Sequence, residues 1–341
     1  DSPKKRDFLG EAKKENTTSF ACLNMHGGLF YTKENTGNVK KKNSLLWSRK
    51  HKIVCLLMDI LKIDVLCMQE GGKLKKPGVS EAIAKLQGYK AYVNARPADT
   101  NPSNNAGYGE GMMTQVKANM KPKVAAKALD TKGRLIALTM MGKKVPGHKQ
   151  MGLAVLNAYM PLQEYQEERE ETDAMISDWI QEMQRKDYMI LIMGDLNCAT
   201  EELGRSNGRR TPSEKTWSKK IEEWGLHDIW AQRVPHYNKL EKGKAGHTWH
   251  TLKSQEDESS RMDYALCCPK LWDSGMIKGV RLDTVQRIEG VDHRMLVVDI
   301  SNELWQEEMC LEWDADETGP VLEKRPSMDG WSKEEKADFT R

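Results

Sequence analysis

The chain is predicted to fold as an α+β domain. Three features of its 341 residues say so: short apolar runs bounded by Gly, Pro, Asn or charge, helical stripes between them, and the absence of any internal repeat. The strand-like runs are Ser19–Met25, Asp64–Gln69, Gly111–Val116, Arg134–Met141, Gly152–Tyr159, Tyr188–Met193, Arg261–Cys267 and Met295–Ile300. Between the first two, Leu46, Ile53, Leu57, Ile60 and Leu61 mark one helical face, with Asn43 or Ser44 placed to cap its start. After Pro161, a second stripe of Met175, Ile176, Trp179, Ile180 and Met183 lies opposite a face crowded with Glu and Asp. Both stripes are expected to pack on a core. Ala95–Gly111, Thr200–Pro212 and Asn238–Ser260, rich in Asn, Gly, Ser, Lys and Pro, read as long loops, the usual carriers of function. The expected organisation is a basic arm over 1–17, one folded domain over 18–300 and an acidic extension or linker over 301–341.

Composition narrows the class. The chain is 38% apolar and 30% charged, and no apolar run approaches the ~20 residues that cross a bilayer, so no membrane partner is expected. The polar first sixteen residues do not read as a secretory leader, and the missing initiator Met is expected of a processed chain or a piece of a longer one. Seven cysteines without a CxxC pair, most of them inside apolar runs, point to buried thiols in a reducing compartment. The net charge of +3 is uneven: residues 301–341 hold 12 acids and 5 bases, and the first 300 hold 38 acids and 48 bases. A basic body allows a polyanionic partner without identifying one.

The informative pattern is polar residues closing apolar strands. Asn24 ends one run and Glu70 another; Asn157 and Tyr159 sit at alternate positions of a third, and Asp195 and Asn197 follow a fourth. Asp263 sits near the start of a fifth, in Arg261-Met262-Asp263-Tyr264, and Asp292-His293 precede the last. In a strand, residues i and i+2 share a side about 6.5 Å apart, so Asp195 with Asn197, and Asn157 with Tyr159, could each face one cleft. A single such residue commonly just closes a turn. Six together supply the side chains of a metal-and-phosphate site. Glu70, Asp292 and the amide oxygen of Asn24 are hard ligands suited to Mg²⁺ or, in its place, Mn²⁺, and no thiolate or clustered-His set competes for zinc. Asp195 could orient and deprotonate a water, with Asn197 holding that geometry. His293, if protonated, could donate to a phosphate, with Asp263 holding its ring.

The order of these residues resembles the endonuclease/exonuclease/phosphatase superfamily. The motifs are Leu23-Asn24 with Gly27, Gln69-Glu70, Asn157-Ala158-Tyr159-Met160-Pro161, Gly194-Asp195-Leu196-Asn197, Arg261-Met262-Asp263-Tyr264 and Asp292-His293, spread over about residues 18–300. The resemblance implies a DNase-like four-layer sandwich of two mixed β-sheets flanked by helices, with the site at one edge between the sheets. It implies Glu70 as direct metal ligand supported by Asn24 and Asp292, Asp195 and Asn197 as the water-activating pair, and His293 on the scissile phosphate with Asp263 behind it. Tyr159 is expected beside the phosphate, as donor or phenolate. Where many apurinic-site repair enzymes carry an acid two positions after the first Asn, this chain has His26.

Within the superfamily the chain looks most like the apurinic-endonuclease-like domain of non-LTR retrotransposons. The stretch Gly107–Met113 and the order Thr248-Trp249 before Ser260–Tyr264 carry that likeness. It implies an endonuclease that cuts DNA phosphodiesters and leaves 3′-hydroxyl and 5′-phosphate ends, linked to a reverse transcriptase in a longer polyprotein; an intracellular place is expected, the nucleus if the target is chromosomal DNA. No reverse-transcriptase motif lies in these residues. Arg209, Arg210 and other Lys/Arg loop pairs are expected to meet DNA phosphates, and Thr248 and Trp249 to meet the nucleic acid, Trp249 by stacking or wedging. The alternatives are a phosphomonoesterase of the same fold, acting on inositol phosphates or nucleotides, and a catalytically inactive binding domain.

Overall fold

The computed structural model describes residues 8–25, 51–71, 84–85, 87–94, 111–118, 124–142, 151–200, 206, 212–235, 246–251, 258–283 and 291–305. In chain order the first strands are Phe8–Gly10 (β1), Thr17–Asn24 (β2), Val65–Gln69 (β3), Tyr89–Asn94 (β4), Met112–Lys117 (β5) and Val124–Leu129 (β6). Leu135–Met141 (β7), Gly152–Tyr159 (β8), Met189–Asp195 (β9), His227–Asp228 (β10), Trp249–His250 (β11) and Ser259–Ser260 (β12) follow. The last are Asp263–Cys267 (β13), Ile277–Asp283 (β14) and Leu296–Ser301 (β15). The helices used below are 51–60 (α1), Gln166–Arg185 (α2) and Pro212–Glu223 (α3).

One sheet runs β1-β14-β15-β2-β3-β5-β4 and the other β10-β13-β9-β8-β7-β6, while β11 and β12 form a ladder of their own. Each large sheet is mixed, with β2 parallel to β3 in the first and β8 parallel to β9 in the second. Alternation decides which side each residue takes. On β2, Phe20 and Cys22 enter the large core, whereas Ala21 and Leu23 join a second core with α1. On β3, Val65 and Cys67 part from Leu66 and Met68 in the same way. Sheets covered on both faces give continuous apolar strands, which is why these runs stand out in the sequence. With α1 over the first sheet and α2 and α3 over the second, the chain is a four-layer sandwich, as expected.

Several elements differ from expectation. The buried side of α1 is His51, Val54, Cys55 and Met58, whereas Ile53 and Ile60 are 42% and 61% exposed. The inward histidine misleads the pattern: its ring is accommodated by Gln115, whose Nε2 lies 2.6 Å from His51 Nε2. Leu46 lies outside the described residues. The second stripe holds, with Ile176, Ile180 and Met183 buried on α2. Helix α3 was not anticipated; it buries Trp217 and Ile221. Strands β4, β6 and β14 were also unforeseen, and the stretch read as the loop Asn238–Ser260 contains β11 and β12. Within the expected arm, Phe8–Gly10 pairs with β14, and Glu11 forms an ion pair with Arg233. At the other end Leu304 and Trp305 are buried, and the Trp305 indole donates to Thr18 Oγ1 at 2.8 Å. The acidic stretch from 306 onward lies outside the described residues. Among the described residues six cysteines are free and buried, and no described helix is long and apolar enough to cross a membrane.

Candidate active site

Tyr159, Asp195 and Asp263 stand in register on three adjacent strands, with Tyr159 opposite Asp195 and Asp195 opposite Asp263. The strand ends of the other sheet meet this row. Asn24 Nδ2 donates to Asp195 Oδ2 at 2.7 Å and to Glu70 Oε1 at 3.1 Å, so one amide joins two carboxylates across the sandwich. The Tyr159 hydroxyl hydrogen-bonds Glu70. Deeper on the same side, Asn157 is fully buried between the sheets. Its Oδ1 accepts from Gln69 Nε2 at 2.7 Å and its Nδ2 donates to Thr114 Oγ1 at 3.1 Å. Asn157 therefore braces the sheets beneath the site, and only Tyr159 reaches its mouth.

Backbone shape aims the remaining groups. Glu70 and Asn197 adopt φ of +49° and +48°, a region that costs a non-glycine residue on the order of 1 kcal/mol and that collects at functional sites. The Asn197 backbone N–H donates to Asp195 Oδ1 at 2.8 Å, and its side-chain amide donates to the Met160 carbonyl at 2.8 Å. Gly194, with φ +155°, passes so close to β8 that a Cβ would lie 1.9 Å from the Ala158 oxygen, so this position admits no side chain.

His293 Nδ1 lies 2.7 Å from Asp263 Oδ2, and its Nε2 is 3.9 Å from Asp292 Oδ1. Asp292 Oδ2 accepts from the Trp249 indole at 2.9 Å, and Trp249 and His293 form a β-bridge. Thr248, expected at the nucleic acid, is only 1% exposed. Its hydroxyl accepts the backbone N–H groups of Met262 and Asp263, each at 3.0 Å, so it fixes the start of β13. Trp249 is half-buried, with its indole N–H committed to Asp292. Arg209 and Arg210, like His26, Gly107–Glu110 and the lysine loops, lie outside the described residues.

Burial and mutual repulsion set the charges. Burial pushes the Asp195 carboxyl up to about 7; Asp263 and Glu70 add to the rise, while His293 and the Asn197 amide oppose it. For His293, burial works against the charged ring, but Asp263, Asp195 and Asp292 outweigh it and hold the imidazolium up to about 10. Burial, with Glu70 and Asp195 nearby, raises Tyr159 well above its ordinary value, which favours the neutral donor over the phenolate. The site thus pairs a carboxylate that titrates near neutrality with an imidazolium and a phenol that keep their protons.

The donors fit a hard divalent cation. Asp263 Oδ1 is buried with no hydrogen-bond partner among the described residues. Asp195, Asp263 and His293 offer ligand atoms within 4.8 Å of one another, and Asn24 and Glu70 adjoin Asp195. A set of carboxylate and amide oxygens without thiolate suits Mg²⁺ or Mn²⁺. The tightest cluster falls on residues expected to be catalytic, with the expected ligands Asn24 and Glu70 beside it. Sequence reading missed the Trp249–Asp292 bond, for which Thr248-Trp249 preceding Asp263 was the available signal. It also missed Tyr264, whose hydroxyl accepts from Thr200 N at 3.0 Å and donates to the Cys198 carbonyl at 2.9 Å.

No family model matches the sequence, and no curated protein matches it. Solved structures do match. The catalytic domain of Xenopus laevis APE2 aligns with a TM-score of 0.62 and 15% identity over 90% of this chain and 99% of its own. The 3′-5′ exonuclease NExo of Neisseria meningitidis aligns at 0.55 and 17% over 83% of this chain and 100% of its own. An AP endonuclease of Archaeoglobus fulgidus aligns at 0.54 and 19% over 83% and 99%. At these identities the likeness is one of architecture: the chain has the DNase-like fold found in endonuclease/exonuclease/phosphatase proteins.

Proposed function

We propose that this chain is a divalent-metal-dependent endonuclease that hydrolyses DNA phosphodiesters. The observation that carries the reading is the in-register row Tyr159–Asp195–Asp263, with His293 bonded to its last member. Asp195, ionised around neutral pH, accepts the proton of a water as the water oxygen bonds to phosphorus. The phosphorus–O3′ bond breaks and the departing oxygen takes a proton from solvent, leaving 3′-hydroxyl and 5′-phosphate ends. The His293 imidazolium donates to the phosphoryl oxygens, where negative charge builds, and the Tyr159 phenol, bonded to Glu70 in the free chain, turns to donate there when the phosphate is bound. Glu70, Asn24 and Asp292 would hold a divalent cation, Mg²⁺ with Mn²⁺ as substitute, which when bound would supply charge neutralisation to the reacting phosphate.

The order Thr248-Trp249 before Arg261-Met262-Asp263-Tyr264 supports the finer reading. In it, this is the nicking domain of a retrotransposon polyprotein, joined to a reverse transcriptase and working in the nucleus. A second reading has its own support. One structure of similar fold is a Neisseria 3′ phosphatase NExo bound to product DNA hairpin, with a TM-score of 0.54, so removal of a 3′ phosphate suits the same groups.

Supercoiled-plasmid nicking with Mg²⁺ and with EDTA, beside Glu70→Ala and Asp195→Asn, is the test. Metal-dependent nicking lost in both variants is expected. Phosphate release from a 3′-phosphorylated hairpin without nicking would favour the second reading, and silence in both assays would leave the inactive binding domain.

A further inference from the structure

Arg169, on the first turns of α2, is 0% exposed. A guanidinium that deep is costly unless protein groups meet its charge, and while Nε has no hydrogen-bond partner among the described residues, its two ends are both engaged. Nη1 donates to the Pro161 carbonyl and Nη2 donates to the Leu196 carbonyl at 3.3 Å. The guanidinium carbon stands 4.4 Å above the Trp217 ring of α3. Both acceptors belong to the site's own turns: Pro161 lies two residues beyond Tyr159, and Leu196 separates Asp195 from Asn197.

The neighbouring carbonyls of that segment are also held. Asp195 O accepts from Met160 N at 2.8 Å, Cys198 O from the Tyr264 hydroxyl at 2.9 Å, and Thr200 O from Ser218 Oγ at 2.7 Å. Leu196 O is met by the cation. A planar fork can span two carbonyls in fixed geometry, which an ammonium cannot reproduce. A core arginine serving packing alone has no reason to divide its two ends between the two turns that present the base and the phenol.

We infer that Arg169 is a positioning residue of the hydrolytic site: it locks the Asp195–Asn197 turn to the Met160–Pro161 turn and so keeps Asn197 in its left-handed backbone with its amide on Met160. The consequence for turnover rests on the proposed function, whereas the lock itself does not.

Arg169→Lys, which keeps charge and stem, and Arg169→Met are compared with wild type in the full chain. Amide hydrogen exchange reads the lock: the N–H groups of Leu196 to Ala199 should exchange at least tenfold faster in both variants, while those of β7 and β14 keep their rates. Acceleration spread evenly over all strands, no acceleration, or failure of Arg169→Lys to fold would overturn the inference, since Arg169 would then serve the core alone. Plasmid nicking reads the consequence: Arg169→Lys should lower kcat ten- to hundredfold with KM within twofold, and the loss should vanish in an Asn197→Ala background. A loss confined to KM, or one that adds fully to that of Asn197→Ala, would overturn it. If wild type cleaves no phosphoester, the proposed function falls and the exchange result alone decides the lock.

Discussion

His293 Nδ1 and Asp263 Oδ2 are 2.7 Å apart, with both side chains withdrawn from solvent. This pair decides which way the site titrates. The imidazolium survives burial because Asp263, Asp195 and Asp292 surround it, while Asp263 makes ionisation of Asp195 harder. One carboxylate therefore raises both of the values that bound the active protonation state.

Activity is expected to rise as Asp195 ionises through about 7 and to fall as His293 loses its proton through about 10. Asp263→Asn removes the charge that raises both groups, so both limbs should move to lower pH, with kcat falling roughly 10²–10⁴-fold. Stability carries the same sign. His293 is raised in the folded chain, so its contribution is full below its ordinary 6.5 and is lost as pH rises through about 10. A pH–rate profile and a Tm series from pH 6 to 10 check both; a wild-type Tm no steeper than the variant's would remove Asp263 from this role.

Trp249→Phe keeps a ring for stacking and deletes the N–H that holds Asp292 Oδ2 at 2.9 Å. A group that orients a metal ligand typically contributes 10–100-fold in metal affinity or activity. The Mg²⁺ concentration for half-maximal nicking should rise about tenfold, with DNA affinity little changed. If DNA affinity drops and the Mg²⁺ requirement stays put, the ring face is what matters and the orienting role is wrong.

Asn24 supplies the hydrogens between Glu70 and Asp195, at 3.1 and 2.7 Å. Asn24→Asp would put a third carboxylate there and turn two attractions into repulsions. Nicking should fall by about 10²-fold or more at 1 mM Mg²⁺, an order of magnitude set by loss of one preorganised charge contact. Fold should persist, since circular dichroism reports sheets that this residue only edges. Undiminished nicking by the variant would show that the amide hydrogens are not needed.

Much of this site was visible in the sequence because its residues break apolar strands: Asn24, Glu70, Asp195, Asp263 and His293 contrast sharply with what precedes or follows them. Register was not visible. Periodicity places Tyr159 and Asp195 at the ends of their strands, but only the pairing of β8 with β9 and β9 with β13 sets them in a row with Asp263. Thr248 was expected at the nucleic acid because Thr248-Trp249 precedes the Asp263 motif; the two backbone donors that use its hydroxyl are visible only in three dimensions. Strand β14 stayed hidden because its run carries Lys278, Gly279 and Arg281, the last buried against Asp299. Strand β6, an apolar but Ala-rich run, gives no strand signal because Ala favours helices over strands.

Asn157 bears on the fold that carries all of this. Its amide joins the sheets through Gln69 Nε2, Thr114 Oγ1 and the backbone oxygens of Met68 and Met113, with no exposed surface of its own. Replacing it with Leu, close in volume, removes the partner of those acceptors and leaves Gln69 Nε2 only its 3.2 Å bond to the Cys67 carbonyl; each group left unmet in a dry interior costs about 1–3 kcal/mol. Gln69 Oε1 is already without a partner among the described residues, so that side chain has little means of recovering the loss. Asn157→Leu should therefore lower unfolding stability by about 2–4 kcal/mol in urea titration, because partial rearrangement offsets some of the unmet groups. Asn157→Asp should cost more above pH 5, since a buried carboxylate would face the carbonyls that the amide now satisfies, and the gap should narrow on acidification. A Leu variant as stable as wild type would mean that apolar packing alone joins the sheets at this depth, and that the bracing amide could be spared.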